Sequence, residues 1–133
     1  MSTPPIRVVS FGYGHGPAPD AHITVDLRPR FRNPHHDPSM RERTGLDADV
    51  YAHVLATPGI EILIAGIARA ALDMHTAIGG PVVVATGCVG GRHRAVGAAR
   101  RLADHITAAG IAVDVHHRDV HRPVLTGTAH RTT

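Results

Sequence analysis

The sequence predicts an α/β fold: a single domain with a mostly parallel sheet of about four strands and helices packed on it. Short runs rich in Ile and Val alternate along the chain with longer stretches that repeat apolar residues at helical spacing. Glycines stand at the junctions between these stretches, and 133 residues is the usual size of one domain. Strand and helix in alternation imply parallel strands joined by right-handed crossovers.

The first half of the chain contains two predicted strands and a long loop. Residues 6–11 form a β-branched run that is followed by glycines, which predicts a strand ending in a turn. Residues 22–28 alternate apolar and polar side chains, as a half-buried strand does. The loop at 29–45 is rich in Pro and Arg and long for a compact domain, so we expect it to be either functional or disordered.

The second half is predicted to hold three helices and two strands. Asp47 can cap a short helix that ends near residue 56, and a longer helix with an apolar stripe follows Pro58 as far as about residue 77. We expect the domain to cover residues 1–123 and residues 124–133 to form a flexible tail. The remaining predicted elements are a strand at 81–86, an Ala-rich helix at 92–109 and a strand at 111–115.

The composition narrows the classes of function. One cysteine excludes an internal disulfide, and no stretch has the length of a membrane helix or the pattern of a secretion signal. We therefore expect a cytoplasmic protein without a membrane partner. The 14 basic residues are all arginine, and the net charge of +3 permits contact with nucleic acid without demanding it. With no Trp and only two Phe and two Tyr, extensive stacking of bases on aromatic rings is disfavoured.

The most informative segment is Gly87-Cys-Val-Gly-Gly-Arg-His-Arg94, between the third strand and the last helix. Its glycines let several backbone N–H groups turn inward, and the helix that follows adds the positive end of its dipole. Cationic side chains are disfavoured at a helix N-terminus, so two arginines there indicate that an anion binds. We predict a phosphate site with backbone donors from Gly90 and Gly91, a bidentate clamp from Arg94 and a further donor from His93.

Polar segments follow all four predicted strands. Ligands gather at the carboxyl ends of the strands in a parallel sheet, so we expect these segments to converge on one cleft. This cleft would hold several Arg and His but few carboxylates, a composition that suits a phosphorylated ligand. The segments are residues 12–15, Asp26 with residues 28–33, residues 87–91 and residues 117–119.

Four separated motifs occur in the order and at the spacing of a known family: Val9-Ser-Phe-Gly-Tyr13, Arg28 with Asn33-Pro-His35, Thr44-Gly-Leu-Asp47, and Gly87 to Arg94. With these motifs the chain resembles the C-terminal domain of RapZ, the RNase adapter protein family formerly described as nucleotide-binding proteins. The resemblance covers about residues 6–121, nearly the whole chain. Full-length members also have an ATP-binding, kinase-like domain with a Walker A motif, and this sequence contains no such motif.

The resemblance implies a small α/β domain that binds an amino-sugar phosphate such as glucosamine 6-phosphate. We expect a regulatory role without catalysis of its own and without a cofactor, and an enzymatic alternative stays open. Enterobacterial members also bind small RNAs, so an RNA-binding adapter is an alternative, although their basic tail is absent here; an oligomer is also allowed. Val89 and Ala95 stand where the family usually has Thr and Ser, which leaves the exact ligand open. The expected ligand-binding residues are Ser10, Gly12, Tyr13, Arg28, Asn33, His35, Thr44, Gly87, Cys88, Gly90, Gly91, Arg92, His93, Arg94 and Arg118.

A phosphatase of the Cys-x5-Arg type is the enzymatic alternative. Cys88 and Arg94 have the required spacing, and a loop rich in N–H groups beside arginines depresses the pKa of a thiol. Against this, Gly87 stands where those enzymes usually have His, and Ala95 replaces their hydroxyl residue. We expect Cys88 to be a small apolar filler beneath the loop. A general acid would have to come from Asp26, Asp37 or Asp119, none of which the sequence specifies.

The twelve histidines do not predict a metal site. The adjacent pairs at 35–36 and 116–117 can each direct only one ring inward from a strand. The sequence contains no Cys/His ligand spacing typical of zinc; His117 and His121 lie four apart, but Pro123 disfavours the helix that would bring them onto one face. We therefore expect histidines that are solvated or that face an anion.

Overall fold

The computed structural model describes residues 4–29, 31 and 38–125. The elements follow the order β1 (Ile6–Gly12), β2 (Ile23–Asp26), α1 (Ala48–Leu55), α2 (Ile60–Ile78), β3 (Val82–Cys88), α3 (Arg94–Ala108) and β4 (Val113–His117). All three strand pairs are parallel, and the sheet order is β2-β3-β1-β4. The predicted α/β fold is confirmed, with a sheet that is parallel throughout.

The hydrophobic core lies between one face of the sheet and the three helices. Ile6 and Val8 of β1 lie on this face beside Val82 and Val84 of β3, and all four are fully buried. Leucine, isoleucine, valine and alanine fill the space, because the chain has so few aromatic residues. The helices contribute Val50 and Val54 from α1, Ile60, Ile64, Ala68 and Ala71 from α2, and Ala95, Ala98, Ala99, Leu102 and Ile106 from α3.

Several predicted boundaries differ from the observed ones. β2 is shorter, Ile23–Asp26 instead of 22–28, and α3 begins at Arg94 instead of 92, so Arg92 lies before the helix. β3 continues through Gly87 and Cys88, because its pairing with β1 extends as far as Gly12 opposite Cys88. β4 runs two residues later than predicted, because its register places Val113 opposite Ile6. Consequently residues 116 and 117 belong to the strand, and the connection between β3 and α3 is only Val89–His93, here called the glycine loop.

The helix ends follow local sequence signals. Gly79 and Gly110 end α2 and α3 in the left-handed conformation, with φ of 74° and 82°. Asp47 occupies the predicted N-cap of α1 with extended dihedrals, but its side chain does not bond to the first turn of the helix. Its carboxylate instead accepts the N–H of Thr44 at 2.9 Å, so it stabilises the preceding turn.

The first two residues of the predicted tail pack against the domain. Val124 and Leu125, which the sequence assigns to a tail, are half-buried, and Leu125 packs against Gly14. Residues 126–133 lie outside the described residues.

Within the described ranges, no single helix is long and apolar enough to cross a membrane; α1 and α2 reach that length only together, across an 89° bend.

Candidate functional site

The four polar segments meet at the carboxyl ends of the strands, here called the carboxyl edge. Leu27 N–H donates to Gly87 O at 2.8 Å, which joins the exit of β2 to β3. Tyr13 N–H donates to Cys88 O at 2.9 Å, and Arg118 N–H donates to Ser10 O at 2.9 Å. The exits of all four strands are therefore adjacent, as the parallel arrangement predicts. Residues 30 and 32–37, which include the expected ligand residues Asn33 and His35, lie outside the described part of the chain.

The glycine loop crosses the exit of β1 at backbone distance. A Cβ on Gly12 would come within 2.5 Å of the carbonyl carbon of Gly90. Gly91 has φ of 72°, and a Cβ there would lie 2.7 Å from the nitrogen of Gly12. Real Cβ atoms do not approach other atoms so closely, so only glycine fits at this crossing. At Gly12 and Gly91 the space that the missing side chain leaves is therefore occupied by backbone atoms of the protein itself rather than by a ligand. A side chain on Gly87 would likewise collide with the ring of Phe11.

Asp119, two residues after the end of β4, holds this crossing in place. Its side chain is fully buried, and Oδ2 accepts the N–H of Gly12 at 2.8 Å and Arg118 Nε at 3.0 Å. Arg122 Nε lies 3.0 Å from Oδ1, an ion pair without hydrogen-bond geometry. Burial alone would raise the pKa of Asp119, but the bonds from Arg118 and Gly12 and the charges of both arginines hold it below its usual value.

Ser10 and His117 form a second polar contact between the ends of β1 and β4. Ser10 Oγ lies 2.6 Å from His117 Nδ1, and Ser10 is fully buried. Burial lowers the pKa of His117, and the charges of His116, Arg100 and His121 lower it further. The neutral ring is therefore favoured at pH 7, and either the Ser10 hydroxyl donates to Nδ1 or Nδ1–H donates to Oγ, depending on the tautomer.

This contact predicts a loss of stability as the pH falls. The pKa of His117 is lower in the folded state than in the unfolded state, so its contribution is complete above about pH 6.5 and is lost as the pH falls further through the folded-state pKa. Urea unfolding at pH 7.5 and 5.5 should show a smaller pH effect in His117→Gln than in wild type. His53→Gln corrects for removing a histidine elsewhere, and an equal effect in the two variants would contradict the prediction.

The three polar side chains that follow Gly91 diverge and tie surrounding loops to the glycine loop. Arg94 is only 1% exposed, and its NH1 donates to the carbonyl oxygens of the segment after β2. Arg92 donates to the carbonyls of Glu42 and Arg122, and the His93 ring bonds to Met40 O at 2.9 Å. These side chains therefore position the loops that surround the carboxyl edge. The carbonyls that Arg94 contacts are those of Leu27, Arg28 and Phe31, at 3.1, 3.3 and 3.1 Å.

Arg94 carries a buried charge without a carboxylate partner. Among the described residues, neither Arg94 nor Arg92 forms a salt bridge, and the Nε of each is buried without a hydrogen-bond partner. Burial lowers the pKa of Arg94, an effect that the nearby Cys88 and Asp26 oppose. A buried cation that has carbonyl dipoles and a distant carboxylate but no direct ion pair remains costly, so a bound anion would lower the free energy of this arrangement.

Arg28 is held on the wall of the carboxyl edge. Its guanidinium forms two hydrogen bonds to Asp26, of 2.9 and 2.8 Å, and its Cζ lies 3.7 Å from the centroid of the Tyr13 ring. The hydrogen bond from Arg28 is the main reason that the pKa of Asp26 is lowered. Burial raises the pKa of Tyr13, and the charge of Asp26 adds to this. Arg28 is thus already paired before any ligand binds.

Cys88 lies below the glycine loop with 3% of its surface exposed. Its Sγ accepts the N–H of Ala95 at 3.4 Å, and the hydroxyl of Thr86 donates to Ala95 O at 2.8 Å. These two bonds anchor the start of α3 to β3. A thiol that is packed in the core in this way has the surroundings of a filler residue. For Cys88 to attack a substrate, the glycine loop would have to move away from it.

The segment that contains Thr44 contacts the glycine loop through the next residue, Gly45. Gly45 N–H donates to Arg92 O at 2.7 Å, and Gly45 packs against the backbone of α3 near Gly97. Thr44 Oγ1 accepts the N–H of Leu46 at 3.1 Å.

No group of three or more His, Cys, Asp or Glu within the described ranges is arranged to hold a metal ion.

Three residues of the carboxyl edge were not among the expected ligand residues: Asp26, His117 and Asp119. The sequence contains one signal for them, since each ends or follows a strand. That signal places them at the edge, but their partners come from other strands and loops. Their roles as partners of Arg28, Ser10 and Gly12 are visible only in the folded chain.

These features define a small, all-parallel α/β domain with a cationic carboxyl edge. Residues 4–121 match the model of the RapZ C-terminal domain, and the chain belongs to that family. The resemblance carried by the four motifs is therefore confirmed.

Relatives with the name nucleotide-binding protein support this assignment. One from Thermus thermophilus is 43% identical over 120 residues, which cover 88% of this chain and 43% of the relative. One from Sphingopyxis alaskensis is 38% identical over 121 residues, which cover 88% of this chain and 38% of the relative. One from Streptomyces coelicolor is 36% identical over 126 residues, which cover 86% and 40%. The chain thus spans about two fifths of the length of these curated relatives.

Proposed function

We propose that the carboxyl edge binds a phosphorylated metabolite and that the domain has a regulatory rather than a catalytic role. The observation that carries this proposal is the buried Arg94 guanidinium, whose charge has no carboxylate partner among the described residues. Among the described residues, the arginines at positions 28, 118 and 122 pair with two carboxylates, Asp26 and Asp119, and Arg92 and Arg94 pair with none, so these groups sum to +3. An oxyanion would supply the missing negative charge.

An amino-sugar phosphate such as glucosamine 6-phosphate is the ligand that we propose first. Membership of the RapZ C-terminal domain family supports a binding role, and the names of the longer relatives also point to a phosphorylated ligand. A nucleotide has the same phosphate chemistry, so it belongs in the same titration. Val89 and Ala95 provide no hydroxyl at the two positions where the family usually has one, which makes the identity of the ligand the main question for experiment.

Calorimetric titration tests the proposal. We expect glucosamine 6-phosphate to bind wild type below the millimolar range and more tightly than glucosamine, inorganic phosphate or ATP. Arg94→Ala is expected to lose roughly tenfold to a hundredfold in affinity, since hydrogen bonds to a charged group contribute about 1.5–3 kcal/mol. Arg69→Ala is the matched control, because Arg69 lies on α2 with a side chain that is 79% exposed.

Two further measurements make the result decisive. Circular dichroism of Arg94→Ala separates loss of binding from loss of fold, and Arg94→Lys tests whether the forked geometry matters in addition to charge. If none of the four compounds binds wild type below the millimolar range, the proposal fails. If the protein hydrolyses a generic aryl phosphate and Cys88→Ser abolishes this, the domain is a phosphatase instead. Salt-dependent binding of structured RNA would favour the adapter function.

A further inference from the structure

The chain that follows β4 lies against the glycine loop. Buried Val120 anchors it, and residues 121–125, here called the strap, continue in turns and bends with neither helix nor strand. The strap ends on the loop after β1, where a Cβ on Gly14 would come within 2.2 Å of Leu125 Cδ1. Gly14 N–H in turn donates to Val89 O at 2.9 Å. The strap therefore ends where the loop after β1 is bonded to the glycine loop.

Arg92 of the glycine loop holds the strap from the other end. Its NH1 donates to Arg122 O at 2.9 Å and, with a longer bond, to Val120 O at 3.4 Å. Both acceptors are neutral carbonyls, and among the described residues Arg92 forms no salt bridge. A guanidinium bonds about twice as strongly to an oxyanion as to a neutral group. An oxyanion that reaches Arg92 would therefore displace the carbonyls of the strap.

We propose that the strap competes with the phosphorylated ligand for Arg92, so that ligand binding releases residues 121–125 from the carboxyl edge. This inference rests on the proposed function, because the oxyanion of that ligand is the competitor. Coupling between two binding events acts in both directions, so a mutation that loosens the strap raises the affinity for the ligand. Release of the strap converts ligand binding into a change at the surface of the domain, as a regulatory role requires.

The strap is held weakly enough to respond to a ligand. Arg122 N–H donates to Asp119 O at 3.1 Å, and the Arg122 side chain, which is 56% exposed, pairs with the Asp119 carboxylate. An ion pair with an exposed partner contributes little, and Val124 and Leu125 are only half-buried. Segments with few buried apolar contacts open at a low free energy. Asp119 itself stays in place, because its bond to the N–H of Gly12 does not involve the strap.

Hydrogen exchange of the full chain, followed by mass spectrometry, tests the tether without any ligand. We expect Arg92→Ala to speed exchange in peptides that cover the strap by roughly tenfold, since it removes hydrogen bonds from a charged donor. Peptides that cover β3 report in the same sample on whether the variant is folded. Arg69→Ala is the matched control, because Arg69 is exposed on α2 and pairs only with Asp73. Unchanged exchange of the strap in Arg92→Ala would overturn the proposal.

The strap and the ligand should also affect each other in a measurable way. A bound ligand ordinarily slows exchange, but saturating glucosamine 6-phosphate should speed exchange of the strap by at least about threefold, and glucosamine, which has no oxyanion, should not. Leu125→Ala loosens the strap without changing Arg92, and calorimetry should show glucosamine 6-phosphate binding roughly two- to fivefold more tightly. Leu72→Ala removes a half-buried leucine from α2 and should leave the affinity within about twofold of wild type.

The outcomes distinguish this inference from the proposed function. If glucosamine 6-phosphate binds wild type but slows exchange of the strap, or leaves it unchanged, the strap does not compete with the ligand. The same conclusion follows if Leu125→Ala binds the ligand no more tightly than Leu72→Ala does. In these cases the strap inference is wrong and the binding function stands. If wild type binds none of the four compounds named above below the millimolar range, both proposals fail.

Discussion

Gly12→Ala is expected to reduce the free energy of unfolding by about 3 kcal/mol, at the upper end of the usual range for overpacking. The added methyl group would lie 2.5 Å from the carbonyl carbon of Gly90 and 2.7 Å from the nitrogen of Gly91. Both are backbone atoms, so no side-chain rotation relieves the contact, and the glycine loop must move away from β1. Urea unfolding at pH 7, monitored by circular dichroism, measures this loss.

Gly66→Ala is the matched control for this prediction. Gly66 lies in the middle of α2, and a Cβ there would have no atom within 4 Å. The same substitution should therefore stabilise the protein by about 0.5–1 kcal/mol, because alanine loses less backbone entropy on folding. If Gly12→Ala remains within about 0.5 kcal/mol of wild type, the glycine loop does not cross β1 at the distance described.

Asp119→Ala has the second largest expected effect, a loss of about 2–4 kcal/mol at pH 7. The substitution leaves the N–H of Gly12 buried without an acceptor and removes the carboxylate that pairs with Arg118 and Arg122. The two arginines are partly exposed, so their share of the loss is the smaller one. Asp73→Ala is the control, because its pair with Arg69 is exposed and should contribute less than about 0.5 kcal/mol.

The effect of Asp119 should also depend on pH in a defined direction. Its pKa is lower in the folded than in the unfolded state, so its contribution is complete above about pH 4 and is lost as the pH falls through the folded-state pKa. The difference in stability between wild type and Asp119→Asn should therefore narrow between about pH 5 and pH 2.5. A difference that is constant over this range would show that the carboxylate charge does not contribute.

Both variants bear on the proposed function, because the glycine loop and Asp119 position the loops around Arg94. Gly12→Ala should weaken ligand binding indirectly, by displacing the loop in which Gly90 and Gly91 lie. Arg94→Ala should weaken it by removing the buried cation, and it should also lower thermal stability, because the guanidinium holds the carbonyls of Leu27 and Phe31. Arg94→Lys keeps the charge without the forked geometry, so its affinity and thermal stability, measured beside those of Arg94→Ala, separate the contribution of the charge from that of loop position.

The sequence was sufficient to predict the elements and the edge on which they present polar residues. Apolar spacing indicated the three helices and four strands, and the glycines at 79 and 110 marked two helix ends. Strand-helix alternation indicated a parallel sheet, and in such a sheet the residues after each strand must meet at one edge. The four motifs then identified the family, which the match over residues 4–121 confirmed.

The partners of the polar side chains could not be predicted in the same way. Arg94 suggested a free clamp for a phosphate, yet its NH1 donates to Leu27 O, 67 positions away in the chain. Asp119 bonds to Gly12 across 107 positions, and the same separation joins Ser10 to His117. Nothing in the local pattern around these residues distinguishes a side chain that will bind a carbonyl from one that will bind a ligand.

By itself, then, the sequence determined the secondary structure, the parallel sheet, the family and the edge at which function is to be sought. The tertiary structure alone decided where β3 and β4 begin and end, which glycines accommodate backbone, and that the Arg94 charge is buried without a carboxylate partner among the described residues. The physical reason is the range of the interactions. Periodicity and capping act over a few neighbouring residues, whereas strand register and the pairing of buried polar groups depend on contacts between distant parts of the chain.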